Sequence, residues 1–567
     1  MKKLASLGVV ILAVVMALCA FSGCKKNTID PDDPQKLEIY VYNAGYGYQW
    51  AEDLLKEFVN EPWVQEKYPG IDKKSRVEPS DVSSRALELL TASKKINNYD
   101  IVMGTGLEGA LGPDVYALDL TKLVYESTVP GETDAEGNPV VFQDKMIPSY
   151  RTSAAYIGKG NSKETAYYQV NWASGMTGII YNEDKLKALG FDVPNTTDEL
   201  LGIMRAVKER TPDNVYTQKT SFATYGSSIY ANYLYYTWWT QYQTVEEYIN
   251  FYNGIDSATE SRSPAIFKQV GIREALSVLE EILSRGNGLT WMNPNTGREA
   301  YRETQNRILL GNALFMSNGD WVDNELAVLR EGLIEQYGHA DTVKLMRTPI
   351  ISAIVNRCKT ITDENAAKIR LENADDLLSA VVKAIDEGSE EPTGNLAEAG
   401  VSKADFDIIK EARKVVYSVG PGHNAYIPSY ASGQGPAVDF LRYMATDKAQ
   451  EIYIRATNGA SLPFQYDLKT KNPDLYEKIS PMQQGRIDYF TELNADILPS
   501  SASFPLVRFG GLSLMASGSP MEDFTGGASA GSYSSLAEMI WNREYRYWSD
   551  NNNANWKNCL LQAGVQG

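Results

Sequence analysis

Between Leu37 and Val59 the spacing of apolar residues changes from every second position to a helical repeat, and this change constrains the fold more than any other feature of the chain. In "LEIYVYNAGYGYQW", Leu37, Ile39 and Val41 alternate with Glu38, Tyr40 and Tyr42, the pattern of a strand. Asn43 to Gly47 predict a turn. Trp50, Leu54, Leu55, Phe58 and Val59 then share one face of a helix that Pro62 stops, with Trp50 on the core stripe. Strand, glycine-bearing turn and helix make the opening half of a βαβ unit. "NYDIVMGTG" predicts a second strand, Tyr99 to Met103, ending at Gly104-Thr105-Gly106. The glycine spacing of a dinucleotide site and the GK[ST] of a phosphate-binding loop are both absent from it.

At 567 residues the chain is too long for one hydrophobic core, so two or more domains are expected. The first residues read as an export signal: Lys2 and Lys3, an apolar run from Leu4 to Phe21, then Ser22-Gly23-Cys24. "LCAFSGC" resembles the lipobox of bacterial lipoproteins, which implies cleavage after residue 23 and a diacylglycerol on Cys24. Residues 24–36, polar and proline-bearing, read as a flexible linker. Loss of residues 1–23 takes the formal charge from −18 to −20. So acidic a chain suits neither nucleic acid, which calls for a basic face, nor a polybasic membrane contact. Cys358 and Cys559 lack any local sign of pairing, there is no CxxC, and His339 and His423 stand alone. Neither a metal nor a cofactor is expected. "TDAEGNPVV", Thr133 to Val141, lacks the ligand spacing of a calcium loop and predicts a polar hairpin.

Further on, Thr177 to Tyr181 predict a strand, and Asn182-Glu183 start a short helix ending near Gly190. Thr196 to Glu199 form a capping box, with Thr196 accepting from the backbone at Glu199, ahead of a helix through Leu200, Ile203, Met204 and Val207. In "ALFMSNGDWVDNE", Leu314 to Met316 predict a buried strand, Asn318-Gly319 a turn, and Trp321 an aromatic ring among polar neighbours.

The segment Tyr167 to Lys208 resembles family 1 extracellular solute-binding proteins, the ligand-capturing subunits of bacterial ABC importers. The resemblance rests on Tyr181-Asn182, Leu189-Gly190, Pro194 and Thr197-Asp198-Glu199-Leu200. It continues in "NRILLGNALFMSNGDW", Asn306 to Trp321, and in "AVDFLRYMATDKAQEIYIRATNGASLP", Ala437 to Pro463. The chain departs from the family in its length and in Ile308, which stands where an aromatic residue is usual. Its extra residues from about Thr360 to Lys414 read as acidic amphipathic helices, and the tail beyond Pro463 is enlarged.

This resemblance implies an α/β fold of the two-lobed periplasmic-binding-protein type (type II), each lobe a sheet flanked by helices, joined by crossing strands at a hinge. Residues 37–170 with 319–435 are expected in the N-terminal lobe, and 171–318 with 436–567 in the C-terminal lobe. Crossings are expected near Val170–Ser174, near Met316–Gly319 and beyond Ile427. The implied protein is a lipid-anchored, extracytoplasmic monomer that captures a carbohydrate for an ABC permease. Sugars present apolar faces and a hydroxyl rim, so their sites combine flat rings with directed polar groups. The expected ligand residues are Asn43, Tyr46, Thr105, Asn171, Trp172, Trp238, Trp239, Asn318, Asp320, Trp321, Asn424 and Tyr426. Asn43 serves equally as a turn-former, and one of Trp238 and Trp239 is expected in the core. A glycoside hydrolase would need two carboxylates across a cleft, and no local motif selects a pair. No Cys/His pair supports a nucleophilic hydrolase. A glycan-binding sensor lipoprotein would share the fold.

Overall fold

The computed structural model describes residues 29–107, 116–158, 165–210, 220–225, 230–293 and 298–566. The expected signal segment and Cys24 lie outside the described residues. Among those residues no helix is long and apolar enough to cross a membrane.

Two five-stranded sheets organise the chain. The first runs Ser75–Ser80, Leu37–Tyr42, Ile101–Thr105, His423–Tyr426, Val170–Asn171. Its first three strands are parallel, and His423–Tyr426 enters antiparallel between Ile101–Thr105 and Val170–Asn171. The second runs Thr290–Asn293, Thr220–Tyr225, Ala313–Gly319, Thr177–Asn182, Val343–Leu345, with Thr177–Asn182 antiparallel to both its neighbours. Each sheet is the centre of a lobe flanked by helices.

The local readings explain why these elements form. Helix Gln49–Asn60 buries Trp50, Leu54, Leu55, Phe58 and Val59 as its apolar spacing requires. Pro62 ends it and also opens the next helix, Pro62–Lys67, at a position where its missing N–H costs nothing. Thr196 Oγ1 accepts from Glu199 N at 3.2 Å, and the Glu199 carboxylate reaches back to Asn195 N at 2.6 Å. Thr128–Thr133 and Pro139–Val141 form the polar hairpin. The linker is shorter than the sequence suggests. Asp33 is ion-paired to Lys74 at 2.7 Å, and Lys36 is fully buried against Asp100 at 2.7 Å, so order begins before Leu37.

The crossings are placed differently from the sequence reading. The chain leaves the first sheet after Asn171 and enters the second at Thr177. Ala313–Gly319 is an interior strand of the second sheet, and Val343–Leu345 also pairs there, so Met316–Gly319 is not a return crossing. The helices Ala374–Asp386 and Lys403–Lys414 stay with this lobe, where buried Arg413 bonds Asp386 and the Thr348 carbonyl. The return occurs over Val415–Gly422, leading into His423–Tyr426. Helices Gln434–Tyr443 and Asp447–Ala456 then pack on Gln49–Asn60 of the first lobe, whereas the helical segment Leu536–Ala563, broken at Asp550 to Asn553, packs on Val270–Leu283 of the second. The insertion displaces the return, because the described strands and helices from Thr177 to Lys414 build one lobe.

Candidate functional site

A cleft of about 460 Å³ lies where strand ends of the first sheet face the second lobe. Tyr42, Thr105 and His423 come from first-sheet strands, and Ala44, Gly45 and Tyr46 from the turn after Leu37–Tyr42. Trp321 follows the strand Ala313–Gly319, and Tyr230 and Tyr233 lie at the start of the aromatic helix Ala231–Gln243. Tyr417 to Val419 and Pro421 to Gly422 belong to the return crossing, and Ser500 to Ala502 to the tail.

Rings dominate this surface. Tyr230 stacks on Tyr233 at 5.3 Å and 26°, Tyr233 on Tyr417 at 5.7 Å and 27°, and Tyr417 on Tyr236 at 4.6 Å and 16°. Tyrosines at 230, 233 and 236 recur one helical turn apart, which is why they share a face. Trp321 meets this row edge-on, 6.2 Å from Tyr233, and contacts Tyr46 at 6.5 Å from the other lobe. Its seat depends on two glycines. A Cβ at Gly319 would fall 1.9 Å from Trp321 Cζ3, and one at Gly45 2.4 Å from Cδ1. The strand runs straight through Asn318 and Gly319 without the predicted turn, and Gly319 serves close packing under the indole.

Among the described lining residues none is Lys, Arg, Asp or Glu. Burial pushes His423 down to about 4, so its ring is neutral at pH 7. Beneath the surface, Tyr46 donates to Asp320 Oδ1 at 3.1 Å, and Arg486 Nε lies 3.3 Å from Asp320 Oδ2. Burial raises the Asp320 carboxyl to about 6 against the opposing pull of Arg486. Gln483 Nε2 donates to the Asp320 carbonyl at 2.9 Å, so this buried network joins the first-lobe turn, the second sheet and the helix Pro481–Leu493.

Of the twelve residues expected from the sequence, Tyr46, Thr105 and Trp321 line the cleft. Asn43 instead donates to Asp81 at 2.8 Å at the turn. Asn171 and Asn424 are buried opposite each other, Asn171 Nδ2 bonding Asn424 Oδ1 at 2.7 Å and the Pro421 carbonyl at 2.8 Å, so they hold the crossing that lines the cleft. Trp172 is buried, stacked on Trp50 at 5.2 Å. Trp238 and Trp239 are both buried in the second lobe, their indole N–H groups bonding the Pro349 carbonyl and Gln269. Asn318 accepts from Gly319 N, Asp320 sits in the network below Tyr46, and Tyr426 donates to Gln169. The sequence reading missed Tyr230, Tyr233, Tyr417, Ser418, His423 and Ser500 to Ala502; the three-residue tyrosine spacing was the available signal for the first two.

The fold, taken by itself, is shared with solved structures. A chitin oligosaccharide binding protein superposes with a TM-score of 0.53 at 12% identity, over 92% of this chain and 100% of that one. The fold is that of the two-lobed periplasmic binding proteins. Two others are the GacH receptor of Streptomyces glaucescens, solved unliganded and with acarbose, and a cyclo/maltodextrin-binding protein complexed with maltotetraose. They superpose at TM-scores of 0.47 and 0.48, with 14% and 12% identity, over 90% and 92% of this chain and 97% and 99% of theirs. No family model matches the sequence, and no curated protein matches it.

Proposed function

We propose that this chain is the solute-capturing subunit of an ABC importer of family 1, holding a neutral oligosaccharide between its lobes and closing over it. One observation carries the reading: both lobes contribute rings to a single cleft whose described lining is free of charged side chains. Rings from two sides suit the apolar faces of sugar rings, and Thr105, Ser418, Ser500, Ser501 and neutral His423 suit their hydroxyls. A charged sugar would leave its carboxylate or phosphate desolvated without a counterion, which is costly. Capture is the more economical reading than hydrolysis. Glycosidic cleavage needs two facing carboxylates, and neither Asp320, buried and engaged with Tyr46 and Arg486, nor Glu325, engaged with Gln305, is among the lining residues. In this reading lipidated Cys24 tethers the monomer to the outer face of the cell membrane, and the closed form delivers its cargo to a permease.

Thermal unfolding of the purified chain against neutral chitin- and maltodextrin-type oligomers, with product analysis of the same mixtures, tests this. A ligand-dependent rise in melting temperature with intact oligomers is the expected result. Shortened products would convert the reading to an enzyme, and stabilisation by charged sugars alone would overturn the neutral class.

A further inference from the structure

The tail supplies a wall of the cleft that neither sheet provides. Asp496–Ile497 pairs in parallel with Val415–Val416 of the return crossing, and Leu498 N donates to the Val416 carbonyl at 2.9 Å. From there the chain passes Ser500, Ser501 and Ala502 along the cleft. It is fastened on both sides. On the second lobe, the Tyr248 hydroxyl donates to the Pro499 carbonyl at 2.9 Å, and Phe504 stacks on Tyr252 at 5.6 Å. Tyr248 and Tyr252 belong to helix Val245–Asn253, which packs on the aromatic helix Ala231–Gln243. On the first lobe, Ser500 N donates to Ser153 Oγ at 3.0 Å, and Ser503 Oγ donates to the Ser153 carbonyl at 2.8 Å. Ser153 lies on helix Pro148–Ala154, which packs against Val170–Asn171 of the first sheet.

The two fastenings are unequal. Beyond Phe504 the helix Pro505–Arg508 packs on Val245–Asn253 and on Leu536–Ala563, both in the second lobe. When the lobes separate, Pro499 to Phe504 stays with the second lobe, and the contacts that break are the two bonds to Ser153 and that of Arg508, 4.8 Å over the ring of Tyr156 just beyond helix Pro148–Ala154. We infer that this segment is a latch and a size-limiting wall: Ser153 holds it across the closed cleft, and residues 500–502 set how long a guest the cleft accepts. Ser153 is a positioning residue here, acting through Ser500 and Ser503. The inference rests on the capture reading for its ligand but not for the latch.

Two variants and a ligand-free readout test it. Ser153→Ala with Ser503→Ala removes both bonds to the first lobe, and Ser501→Trp fills the wall. With a size ladder of neutral oligosaccharides, the double variant should release its guest about tenfold faster than the parent, as expected for the loss of two hydrogen bonds. Ser501→Trp should lose the longer members of the ladder first. Spin labels on the two lobes should report a wider ligand-free distance distribution in the double variant. Unchanged release and an unchanged distance distribution would overturn the latch, and a uniform loss across the ladder in Ser501→Trp would overturn the size limit. If the parent binds no oligosaccharide the capture reading fails, yet the label distances still decide the latch.

Discussion

The Tyr46 hydroxyl donates to Asp320 across the lobes, from the turn after the first strand of one sheet to the end of an interior strand of the other. That single contact places a buried carboxylate directly under a ring of the cleft, with Arg486 as its counterion. The cleft lining and this contact between the lobes therefore share Tyr46, so ligand affinity and lobe geometry are expected to change together.

Trp321→Ala and Trp239→Ala separate binding from folding. Trp321 lines the cleft, and its loss should weaken a neutral oligosaccharide by at least about tenfold, near 1.4 kcal/mol. Trp239 is fully buried and bonded to Gln269, so its loss should destabilise the chain by about 3–5 kcal/mol while the folded fraction binds within a few-fold of the parent. Calorimetric titration and denaturant unfolding of both variants check this.

Gly319→Ala should act like a partial loss of Trp321. The added methyl would sit 1.9 Å from the indole and must push the ring off its seat. Overpacking of this kind costs about 1–3 kcal/mol, and the shift should also quench or move the fluorescence change that ligand induces.

Acid stability should contain two opposed slopes. Asp320 titrates near 6 in the folded chain, above its unfolded value, so its contribution is full below about pH 4 and is lost as pH rises towards 6. His423 is depressed to about 4, so its contribution is full above about pH 6.5 and is lost as pH falls towards 4. Relative to the parent, His423→Gln should steepen the fall in stability with rising pH, and Asp320→Asn should steepen the fall with falling pH. Urea unfolding at intervals between pH 4 and 6.5 reads both slopes.

Affinity should be nearly independent of salt. With no charged side chain among the described lining residues, screening has little to act on. A dissociation constant that rises steeply from low to high sodium chloride would point to a charged ligand group.

The sequence made some of this plain and hid the rest for physical reasons. Helix Gln49–Asn60 and the Thr196 cap were readable because spacing and capping are local. The burial of both Trp238 and Trp239 was not, since the aromatic helix is covered on one side by its own sheet and on others by Val270–Leu283 and the insertion. No local pattern reports a helix enclosed by distant segments. His423 and Tyr417 were missed because the return crossing is fixed by pairing of His423–Tyr426 with strands far upstream. Ser500 to Ala502 reach the cleft through pairing with Val415–Val416 and through bonds to Tyr248 and Ser153, all contributed by distant segments. Trp321 lines the cleft, although the strand before it is interior to the second sheet and not the crossing that the sequence suggested.

Small-angle X-ray scattering of the chain with and without a bound neutral oligosaccharide tests the central claim most directly. Closure of two lobes over a guest predicts a smaller radius of gyration in the bound state, with Trp321→Ala needing more ligand to reach it. Scattering that stays the same at saturating ligand, with binding shown in the same sample, would contradict it.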